Sequence, residues 1–217
     1  MVGAPGAGKG TQAVLLSERL GIPHVASGDL FRAHIKGGTA LGKKVKDYLD
    51  SGALVPDALT VQMITDRLAD ADAQDGAILD GFPRTRPQAE ALDTTLGKMG
   101  GQVNAALYID VPRDELLRRL SARWICTVSS EHVYNSVARP PRVEGVCDVD
   151  GAPLYQRNDD KPETVEARLE GQLPPMYEVV DYYTDRGVLS TVNGEGTVAE
   201  VTDALLRAIT QPARQAG

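Results

Sequence analysis

Residues 3–11 read GAPGAGKGT, and this stretch decides the fold class of the 217-residue chain. It matches the pattern G-x-x-x-x-G-K up to Lys9, and apolar residues then recur at helical spacing as far as Leu20. In such a loop, backbone N–H groups and the positive end of the helix dipole surround a phosphate. A flexible glycine-rich turn is the alternative. The helix that follows favours a phosphate site formed by Gly6, Ala7, Gly8, Lys9, Gly10 and Thr11.

One position departs from this pattern. Gly10 stands where Ser or Thr is usual, and Thr11 follows one place later. Because that hydroxyl normally holds Mg²⁺, we expect the metal to depend more on water and on Asp80. Asp80 ends a strand-like run, and the carboxyl ends of parallel strands face the ligand crevice of an open α/β sheet. The alternative for Asp80 is a cap on the turn that follows.

Strand-like and helix-like runs alternate along the chain. Strands are expected near residues 22–25, 77–80, 105–111 and 188–192, and helices near 10–20, 41–51, 57–68, 113–120 and 197–209. This alternation predicts an α/β fold with a parallel sheet covered on both faces. Residues 123–160 lose the helical period and are rich in Gly, Pro and short β-type runs. So long an insertion is typical of a lid or binding loop.

Three local details are also predicted. Asp57 is expected to cap the helix at residues 57–68. Pro174 and Pro175 lie in a helical run over residues 162–186 and should kink or split it, because a proline removes a helical N–H and crowds the preceding turn. A capping box at residues 197–200 begins the last helix, whose buried face is expected to hold Val198, Val201, Leu205 and Ile209.

Composition excludes several classes of protein. With 23 Lys+Arg against 30 Asp+Glu, the net charge of -7 disfavours a nucleic-acid-binding protein, which needs a basic excess. No apolar run approaches the roughly 18 residues of a membrane helix, and the N-terminus does not resemble a secretory signal. Two cysteines cannot staple a chain of this length, which favours a reducing compartment. We therefore expect a cytoplasmic protein without nucleic-acid or membrane partners.

Arginines mark both ends of the insertion in this acidic chain. Arg119 and Arg123 share one helical face at its entrance, Arg157 stands at its exit, and Arg168 lies on the following helix. A solvated basic face is the alternative. Guanidinium groups bind phosphate oxygens bidentately and stay charged, so a phosphate clamp is favoured. Arg84, close to the crevice beside Asp80, is interpreted in the same way.

The insertion also carries two pairs with zinc-ligand spacing, Cys126 with Ser129 and Cys147 with Asp150. Four good ligands in these places would indicate a structural zinc, but a serine hydroxyl is a poor ligand. His132 is an alternative fourth ligand. Hydrogen-bonded turns with partly buried thiols are favoured, and no metal site is assigned.

Taken together, these motifs resemble adenylate kinases, most closely the bacterial form with a long lid. The resemblance rests on GAPGAGKGTQ at residues 3–12, SGD at 27–29, DGFPRT at 80–85 and the arginine-flanked insertion, and it extends to about residue 206. It implies an α/β fold with a P-loop NTPase-type parallel sheet flanked by helices, a small helical AMP-binding segment and a β-rich lid insertion. The expected division is a core (1–25, 56–122 and 161–217), an AMP-binding segment (26–55) and a lid (123–160).

The resemblance also implies roles for individual residues. The catalytic set would be Lys9, Arg84, Arg123, Arg157 and Arg168, with Asp80 associated with Mg²⁺ and Asp159 anchoring the closed lid. The ATP site would add Arg119, Arg123, Val133, Tyr134 and Gly196 to the loop residues from Gly6 to Thr11. The AMP site would comprise Ser27, Arg32, Ala53, Leu54, Val55, Gly81, Phe82, Pro83, Arg84, Gln88, Arg157 and Arg168, with Gln88 contacting the base.

The expected reaction is reversible phosphoryl transfer from MgATP to AMP, giving two ADP, in nucleotide homeostasis and purine salvage. A kinase for UMP or CMP, or one using GTP as donor, is the nearest alternative; the long lid and Gln88 favour adenine as acceptor base. A non-catalytic nucleotide switch is disfavoured, because the chain lacks the guanine-reading N-K-x-D motif and retains the expected arginines. A monomer is expected. Family members begin with a longer strand than Met1 and Val2 provide, so a version extended upstream should be more stable.

Overall fold

A computed structural model describes residues 1–210, without the side chains of Pro162 and Glu163. The phosphate-loop residues lead into helix α1 (Lys9–Leu20), which begins after Gly8. Gly8 has a left-handed backbone with φ of 93°, a conformation that glycine adopts without steric cost. The loop is therefore placed directly at the N-terminus of α1, as the motif predicts.

The first half of the chain forms one parallel strand pair and most of the helices beside it. The elements are β1 (His24–Ala26), α2 (Ser27–Lys36), α3 (Ala40–Ser51), α4 (Asp57–Leu68), β2 (Ile78–Asp80) and α5 (Arg86–Lys98). Strands β1 and β2 are parallel, with Ala26 opposite Asp80. This register brings Ser27 beside Gly81, so that two predicted site segments meet at the ends of adjacent strands.

A second parallel pair completes the central sheet. Strand β3 (Ala106–Asp110) is followed by α6 (Arg113–Ser121) and pairs with a later strand whose last residue, Asn193, lies opposite Asp110. Val2 bridges to Tyr108, and the amino group of Met1 donates a hydrogen bond of 2.8 Å to the carbonyl oxygen of Leu79. Residues 1 and 2 thus lie between the two pairs, and the predicted α/β architecture with a parallel sheet is confirmed.

The insertion has a different architecture. Strands β4 (Arg123–Cys126), β5 (Val133–Asn135) and β6 (Leu154–Tyr155) form an antiparallel sheet in the order β5-β4-β6. Its small core contains Cys126, Tyr134, Cys147 and Leu154. The β-type pattern of the sequence agrees with this sheet. The action of residues 123–160 as a lid and the three-part division of the chain remain predictions.

The C-terminal elements are α7 (Pro162–Asp185), β7 (Leu189–Asn193) and α8 (Val198–Thr210). Helix α7 contains both Pro174 and Pro175 without being split, so that part of the prediction is wrong. A proline φ is compatible with a helix, and burial of Leu169, Met176 and Val179 along α7 offsets the missing N–H bonds. The predicted core extends to residue 217, but residues 211–217 lie outside the described part of the chain.

The structure also tests the predictions made for the last helix and for the start of α4. The capping box at residues 197–200 is present, because Glu200 N donates to Thr197 Oγ1 and Thr197 N donates to Glu200 Oε2. Val198, however, is 47% exposed, whereas Val201 and Leu205 are buried as expected. Asp57 does not cap α4: it is the first helical residue, after Pro56, and its carboxylate contacts α5 instead.

Two large hydrophobic clusters cover the parallel strands. One packs α1, α6, α7 and α8 against β3 and β7, around Leu16, Leu120, Leu169 and Leu205. The other packs α2, α3, α4 and α5 around Val45, Ile64 and Phe82. Over residues 1–210, we find no helix with the length and apolar character needed to cross a bilayer.

Candidate active site

A cavity of about 710 Å³ opens above the phosphate loop and extends between the central sheet and the β4–β6 sheet. Every residue predicted for the ATP site lines it, from the loop residues to Val133, Tyr134 and Gly196. Asp80 and the five arginines at positions 32, 84, 123, 157 and 168 line it as well. The fold therefore gathers residues from widely separated parts of the sequence around one space.

Glycine is required within the loop because the backbone approaches its neighbours closely. At Gly6, where φ is 84°, a Cβ atom would lie 2.9 Å from Cγ of Leu120 and 3.2 Å from the carbonyl oxygen of Leu116. Distances this short are not tolerated between carbon atoms in a packed interior. Helix α6 therefore packs directly against the loop at Gly6.

Lys9 crosses back over the loop. Its ammonium group donates hydrogen bonds of 2.7 Å to the carbonyl oxygen of Gly3 and 2.9 Å to that of Ala4. Burial lowers the pKa of Lys9 to about 7; Asp80 opposes this change, and the neighbouring cations Arg84, Arg168 and Arg123 add to it. The lysine is thus placed where a phosphate would neutralise a set of crowded positive charges.

Asp80 supplies the negative charge at the end of β2. Burial by itself raises the pKa of this carboxyl, but the hydrogen bond with His24 and the charges of Lys9 and the N-terminus outweigh burial and hold it at about 2. Its Oδ2 lies 3.4 Å from Nε2 of His24. Asp80 is therefore an ionised carboxylate at neutral pH.

The residues at the end of β2 suit a hard divalent cation associated with a phosphate. A Cβ atom at Gly10 would lie 3.3 Å from Oδ2 of Asp80, so the carboxylate directly adjoins the first turn of α1. Carboxylate oxygen is a preferred ligand type for Mg²⁺, which usually retains several waters in protein sites. Asp80 therefore fits the predicted association with Mg²⁺.

A buried carboxylate organises the arginines at the base of the insertion. Asp160 is fully buried, and it accepts a hydrogen bond of 2.7 Å from Nε of Arg123 and one of 2.9 Å from Nη1 of Arg168. Asp159 lies 2.9 Å from the same nitrogen of Arg168. Burial lowers the pKa of Arg168 to about 10, although the attraction of Asp159 opposes this change.

Two guanidinium nitrogens are buried without a partner in the protein. Among the described residues, Nε of Arg157 and Nε of Arg168 are buried and have no hydrogen-bond partner in the protein. An unpaired buried donor costs free energy, about 1–3 kcal/mol or more for a charged group. Both arginines also line the cavity, where phosphate oxygens are suitable partners for guanidinium groups.

The comparisons with known proteins agree with this geometry. A family model described as adenylate kinase matches residues 1–188. The chain belongs to the adenylate kinase family. Among its relatives, the adenylate kinase of Streptomyces griseus is 49% identical over 96% of this chain and 95% of that protein. The adenylate kinase of Ruminiclostridium cellulolyticum is 49% identical over 96% of this chain and 97% of its own length.

The adenylate kinase family resemblance assigned Arg84 and Ser27 to the acceptor side, and the structure brings them together. Ser27 is buried and donates a hydrogen bond of 2.6 Å to the carbonyl oxygen of Gly81. The same oxygen accepts a bond of 2.7 Å from Nε of Arg84. Nη1 of Arg84 donates to Oε1 of Gln172, whose Nε2 donates to the carbonyl oxygen of Gly52. Arg84 is thus held from two sides while it lines the cavity.

Other residues expected on the acceptor side lie behind the cavity wall. Gln88 is 1% exposed and does not line the cavity. Phe82 and Val55 are buried in the second hydrophobic cluster. The residues predicted for AMP that do not line the cavity are Ser27, Ala53, Leu54, Val55, Phe82, Pro83 and Gln88.

Several residues that position the arginines were missed by sequence analysis. Asp160 and Gln172 were given no role, although both hold predicted site arginines. Glu115 was also missed: its Oε1 accepts a bond of 2.6 Å from Nε of Arg119, whose Nη2 donates to the carbonyl oxygen of Gly194. The signal that could have found Glu115 is its spacing of four residues from Arg119 on one helix face.

Asp29 connects the acceptor side with the insertion. Its carboxylate accepts hydrogen bonds from Arg32 and from Oγ of Ser130, the latter at 3.0 Å, and lies 3.9 Å from Nη2 of Arg157. A second contact joins Asn158 to Asp50 at 3.2 Å. Residues 26–55 and 123–160 are therefore in contact above the site.

The two cysteine pairs of the insertion converge, but with a different fourth residue from the one in the spacing pattern. Ligand atoms of Cys126, His132, Cys147 and Asp150 all lie within 4.8 Å of one another. The hydroxyl of Ser129 accepts a hydrogen bond from the backbone N–H of Glu131. His132, the alternative fourth residue, therefore joins Cys126, Cys147 and Asp150 in this group.

The spacing of these atoms suits a zinc ion. Asp150 Oδ2 lies 3.3 Å from Cys126 Sγ and 3.0 Å from His132 Nδ1, and Cys147 Sγ lies 3.4 Å from the same nitrogen. Zinc–ligand bonds of about 2.0–2.3 Å in a tetrahedron place neighbouring ligand atoms roughly 3.3–3.8 Å apart. Thiolate, imidazole and carboxylate are all zinc ligands, so the donor set fits that metal.

Proposed function

We propose that this protein catalyses the reversible transfer of the terminal phosphoryl group of MgATP to AMP, giving two ADP. The observation that carries the proposal is that Arg157 and Arg168 line the same cavity as Arg84 and the phosphate loop. They come from the end of the insertion and from α7 rather than from the loop itself, as a site that holds a second phosphate chain requires. The family membership supports the same reaction.

The chemistry needs no general base. The second pKa of a phosphate monoester is about 6, so the AMP phosphate is largely a dianion near neutral pH. One of its oxygens forms a bond to the γ-phosphorus of ATP while the bond from that phosphorus to the β–γ bridging oxygen breaks. ADP leaves on one side, and the acceptor becomes the second ADP. The sole histidine that lines the cavity along residues 1–210, His24, contacts Asp80 and has no role in this step.

The protein contributes position and charge. Lys9 and the loop N–H groups bind the donor phosphates, Arg84 binds the acceptor phosphate, and the arginines at positions 123, 157 and 168 surround the transferred group. Mg²⁺ associated with Asp80 would neutralise phosphate charge during transfer. The remaining predicted ATP contacts, Arg119, Val133, Tyr134 and Gly196, would hold the base and triphosphate.

Water is a competing acceptor, so the site must be covered during transfer. The contacts of Asp29 with Ser130 and of Asp50 with Asn158 support closure of the lid against the AMP-binding segment. Both contacts use small polar groups at the surface, which can exchange with water when the site opens. In this scheme Asp159 and Asp160 hold the arginines while the lid moves.

We also propose that the lid binds one zinc ion through Cys126, His132, Cys147 and Asp150. The metal would join the β4 end of the lid to the 147–150 turn and stabilise its small core. It would take no part in the reaction, because the ligands belong to the lid's own core rather than to the catalytic cavity.

The nearest alternative remains a nucleoside monophosphate kinase with another acceptor or donor base. A cytoplasmic monomer that serves purine nucleotide salvage is the expected setting. The two free thiols, Cys126 and Cys147, are in keeping with a reducing compartment. Sedimentation of the purified protein at several concentrations tests the monomer.

Phosphorus NMR tests the function directly. Purified protein is incubated with MgATP and separately with AMP, UMP, CMP or GMP, and a parallel set uses MgGTP as donor. Rapid formation of ADP with AMP alone is the expected result. Preference for another monophosphate would keep the mechanism and change the acceptor, whereas tight nucleotide binding without any transfer would favour a nucleotide-binding switch.

A further inference from the structure

Gln172, on α7, joins Arg84 to the end of α3 through its side-chain amide. Its Oε1 accepts a hydrogen bond of 3.2 Å from Nη1 of Arg84, and its Nε2 donates one of 2.5 Å to the carbonyl oxygen of Gly52. Gln172 is 7% exposed and does not line the catalytic cavity, whereas Arg84 does. Any effect of Gln172 on a ligand in that cavity must therefore pass through its partners.

The chemistry of these partners permits one orientation of the amide. A guanidinium group only donates hydrogen bonds, and a backbone carbonyl only accepts them. Turning the amide over would place Oε1 against the carbonyl of Gly52 and Nε2 against Arg84, and both contacts would be repulsive in a buried place. A carboxylate has no proton to donate and an ammonium group accepts none, so an amide suits both partners at once.

The face of α7 that carries Gln172 also carries Arg168, four residues earlier. A Cβ atom at Gly52 would lie 3.0 Å from Cβ and 3.1 Å from Cγ of Arg168. The backbone at Gly52 therefore lies against the aliphatic stem of Arg168, while its carbonyl accepts the bond from Gln172. In this way α7 carries Arg168 directly and holds Arg84 through Gln172.

The contacts of Arg84 leave its charge available. Within residues 1–210, its Nε donates to the carbonyl oxygen of Gly81 and its Nη1 to Gln172, and both acceptors are uncharged. A guanidinium group has five N–H donors in one plane. Those that remain on Nη1 and Nη2 are of the kind that binds phosphate oxygens bidentately. Gln172 thus orients the guanidinium group without neutralising it.

We propose that Gln172 is a positioning residue that holds Arg84 in a fixed place relative to Arg168, so that both arginines bind the acceptor phosphate. This inference rests on the proposed function, in which Arg84 binds the phosphate of AMP. Without Gln172, Arg84 keeps its bond to Gly81 and loses its tie to α7. AMP would then have to order the guanidinium group as it binds, which weakens binding. The donor phosphates are held by the loop and would be unaffected.

The test replaces the amide with an apolar side chain of similar length. Gln172→Met removes both hydrogen bonds, and we expect KM for AMP to increase by about tenfold or more, because a bond to a charged group is lost. KM for MgATP should stay within about twofold of the parent value, and kcat should fall by less than KM for AMP rises. Initial rates of ADP formation are measured with one substrate varied at a time, and a melting curve is recorded for each variant.

Gln12 provides a matched control, because its buried amide has the same two roles elsewhere. Its Nε2 donates a bond of 3.0 Å to the carbonyl oxygen of Val198, and its Oε1 accepts one of 2.7 Å from the hydroxyl of Thr202. These contacts join α1 to α8 and do not involve Arg84. Gln12→Met therefore removes a bridging amide of the same kind and should leave KM for AMP unchanged.

The possible outcomes separate positioning from a general loss of structure. A folded Gln172→Met protein with the parent's KM for AMP, or with equal increases in KM for AMP and for MgATP, would overturn the proposal. An increase in KM for AMP as large in Gln12→Met as in Gln172→Met would overturn it as well. A parent protein that transfers no phosphoryl group to AMP would overturn the proposed function itself, and the role of Gln172 with it.

NMR of the unaltered protein gives an independent test if Gln172→Met does not fold. The side-chain amide of Gln172 is assigned through its covalent connection to the backbone of the same residue. A coupling across the hydrogen bond from its nitrogen to the carbonyl carbon of Gly52 is expected, and AMP should shift the amide signal more than MgATP does. Absence of the coupling, or an equal or larger shift with MgATP, would contradict the proposed role.

Discussion

The ammonium group of Lys9 donates a hydrogen bond of 2.7 Å to the carbonyl oxygen of Gly3, within the loop that would bind phosphate. Within residues 1–210, this half-buried ammonium group is therefore satisfied by neutral oxygens rather than by a counter-ion at bonding distance. Burial and the nearby arginines lower its pKa to about 7, against the opposing effect of Asp80. Bound phosphate would reverse this balance and favour the charged form.

Nucleotide binding should therefore take up a proton above neutral pH. Below about pH 7 Lys9 is already charged in the free protein; above it, Lys9 is neutral until phosphate raises its pKa. Proton uptake should approach one per chain as the pH increases through this range, and affinity for MgATP should fall by up to about tenfold per pH unit. Calorimetric titration in buffers with different ionisation enthalpies measures the uptake.

Lys9→Arg provides the control for this measurement, because an arginine stays charged throughout the range. For Lys9→Arg, the dependence of the binding enthalpy on the buffer should indicate no proton uptake at this position. If the unaltered protein and Lys9→Arg take up the same number of protons at every pH, another group is responsible and the assignment to Lys9 is wrong.

Removing the charge at Lys9 should abolish most of the catalysis. Lys9→Met keeps an unbranched chain of similar length, so we expect the fold to remain and turnover to fall by several orders of magnitude, because charge neutralisation is the main contribution of the protein. Quenched-flow measurement of ADP formation and a melting curve separate the two effects. Turnover close to the parent's would contradict the role given to Lys9.

The sequence predicted the site well where local patterns determine it. The loop at residues 3–11, the strand that ends at Asp80 and the helix with Leu116 and Leu120 buried all follow from spacing along the chain. Each of these elements is formed by neighbours in sequence, and its hydrophobic period shows which face is buried. The parallel sheet could be predicted from their alternation.

The errors share a different cause. Gln172 holds Arg84 across 88 positions of sequence, and Asp57 contacts Gln88 across 31, so no local pattern reports either contact. Aspartate is a common N-cap residue, yet the carboxylate of Asp57 forms its hydrogen bonds with α5 and its N-cap rather than with its own helix. His132 lies beside Asp150 because a turn brings it there, and residue spacing alone does not describe that turn.

Asp160 should be the most costly polar residue to replace. It is fully buried between Arg123 and Arg168, so Asp160→Asn would remove the negative charge that these two arginines share and leave only Asp159 beside Arg168. We expect a loss of roughly 3–5 kcal/mol in the free energy of unfolding. Urea denaturation followed by circular dichroism measures it.

An exposed ion pair is the control for Asp160. Glu90 lies 3.0 Å from Nε of Arg86 on the surface of α5. Glu90→Gln should change the free energy of unfolding by about 0.5 kcal/mol or less. Equal losses of unfolding free energy in the two variants would mean that burial does not determine how much the Asp160 contacts stabilise the protein.

The lid cluster predicts a metal content that can be measured without any assay of catalysis. Protein purified without chelators or affinity metals should contain close to one zinc per chain by elemental mass spectrometry. Chelation should lower the melting temperature, because the ion joins Cys126 to the turn that carries Cys147 and Asp150. Re-addition of zinc should restore the original value.

Variants of His132 and Ser129 distinguish a zinc site from a network of hydrogen bonds without metal. His132→Ala removes a ligand and should abolish stoichiometric zinc, whereas Ser129→Ala should retain it, since the Ser129 hydroxyl accepts a hydrogen bond from the N–H of Glu131 within the turn. The reverse result would restore the ligand set expected from residue spacing. Protein that contains no zinc, with a melting temperature insensitive to chelators, would instead leave Cys126, His132, Cys147 and Asp150 as hydrogen-bond partners, because the thiol–carboxylate and imidazole–carboxylate contacts satisfy these groups without an ion.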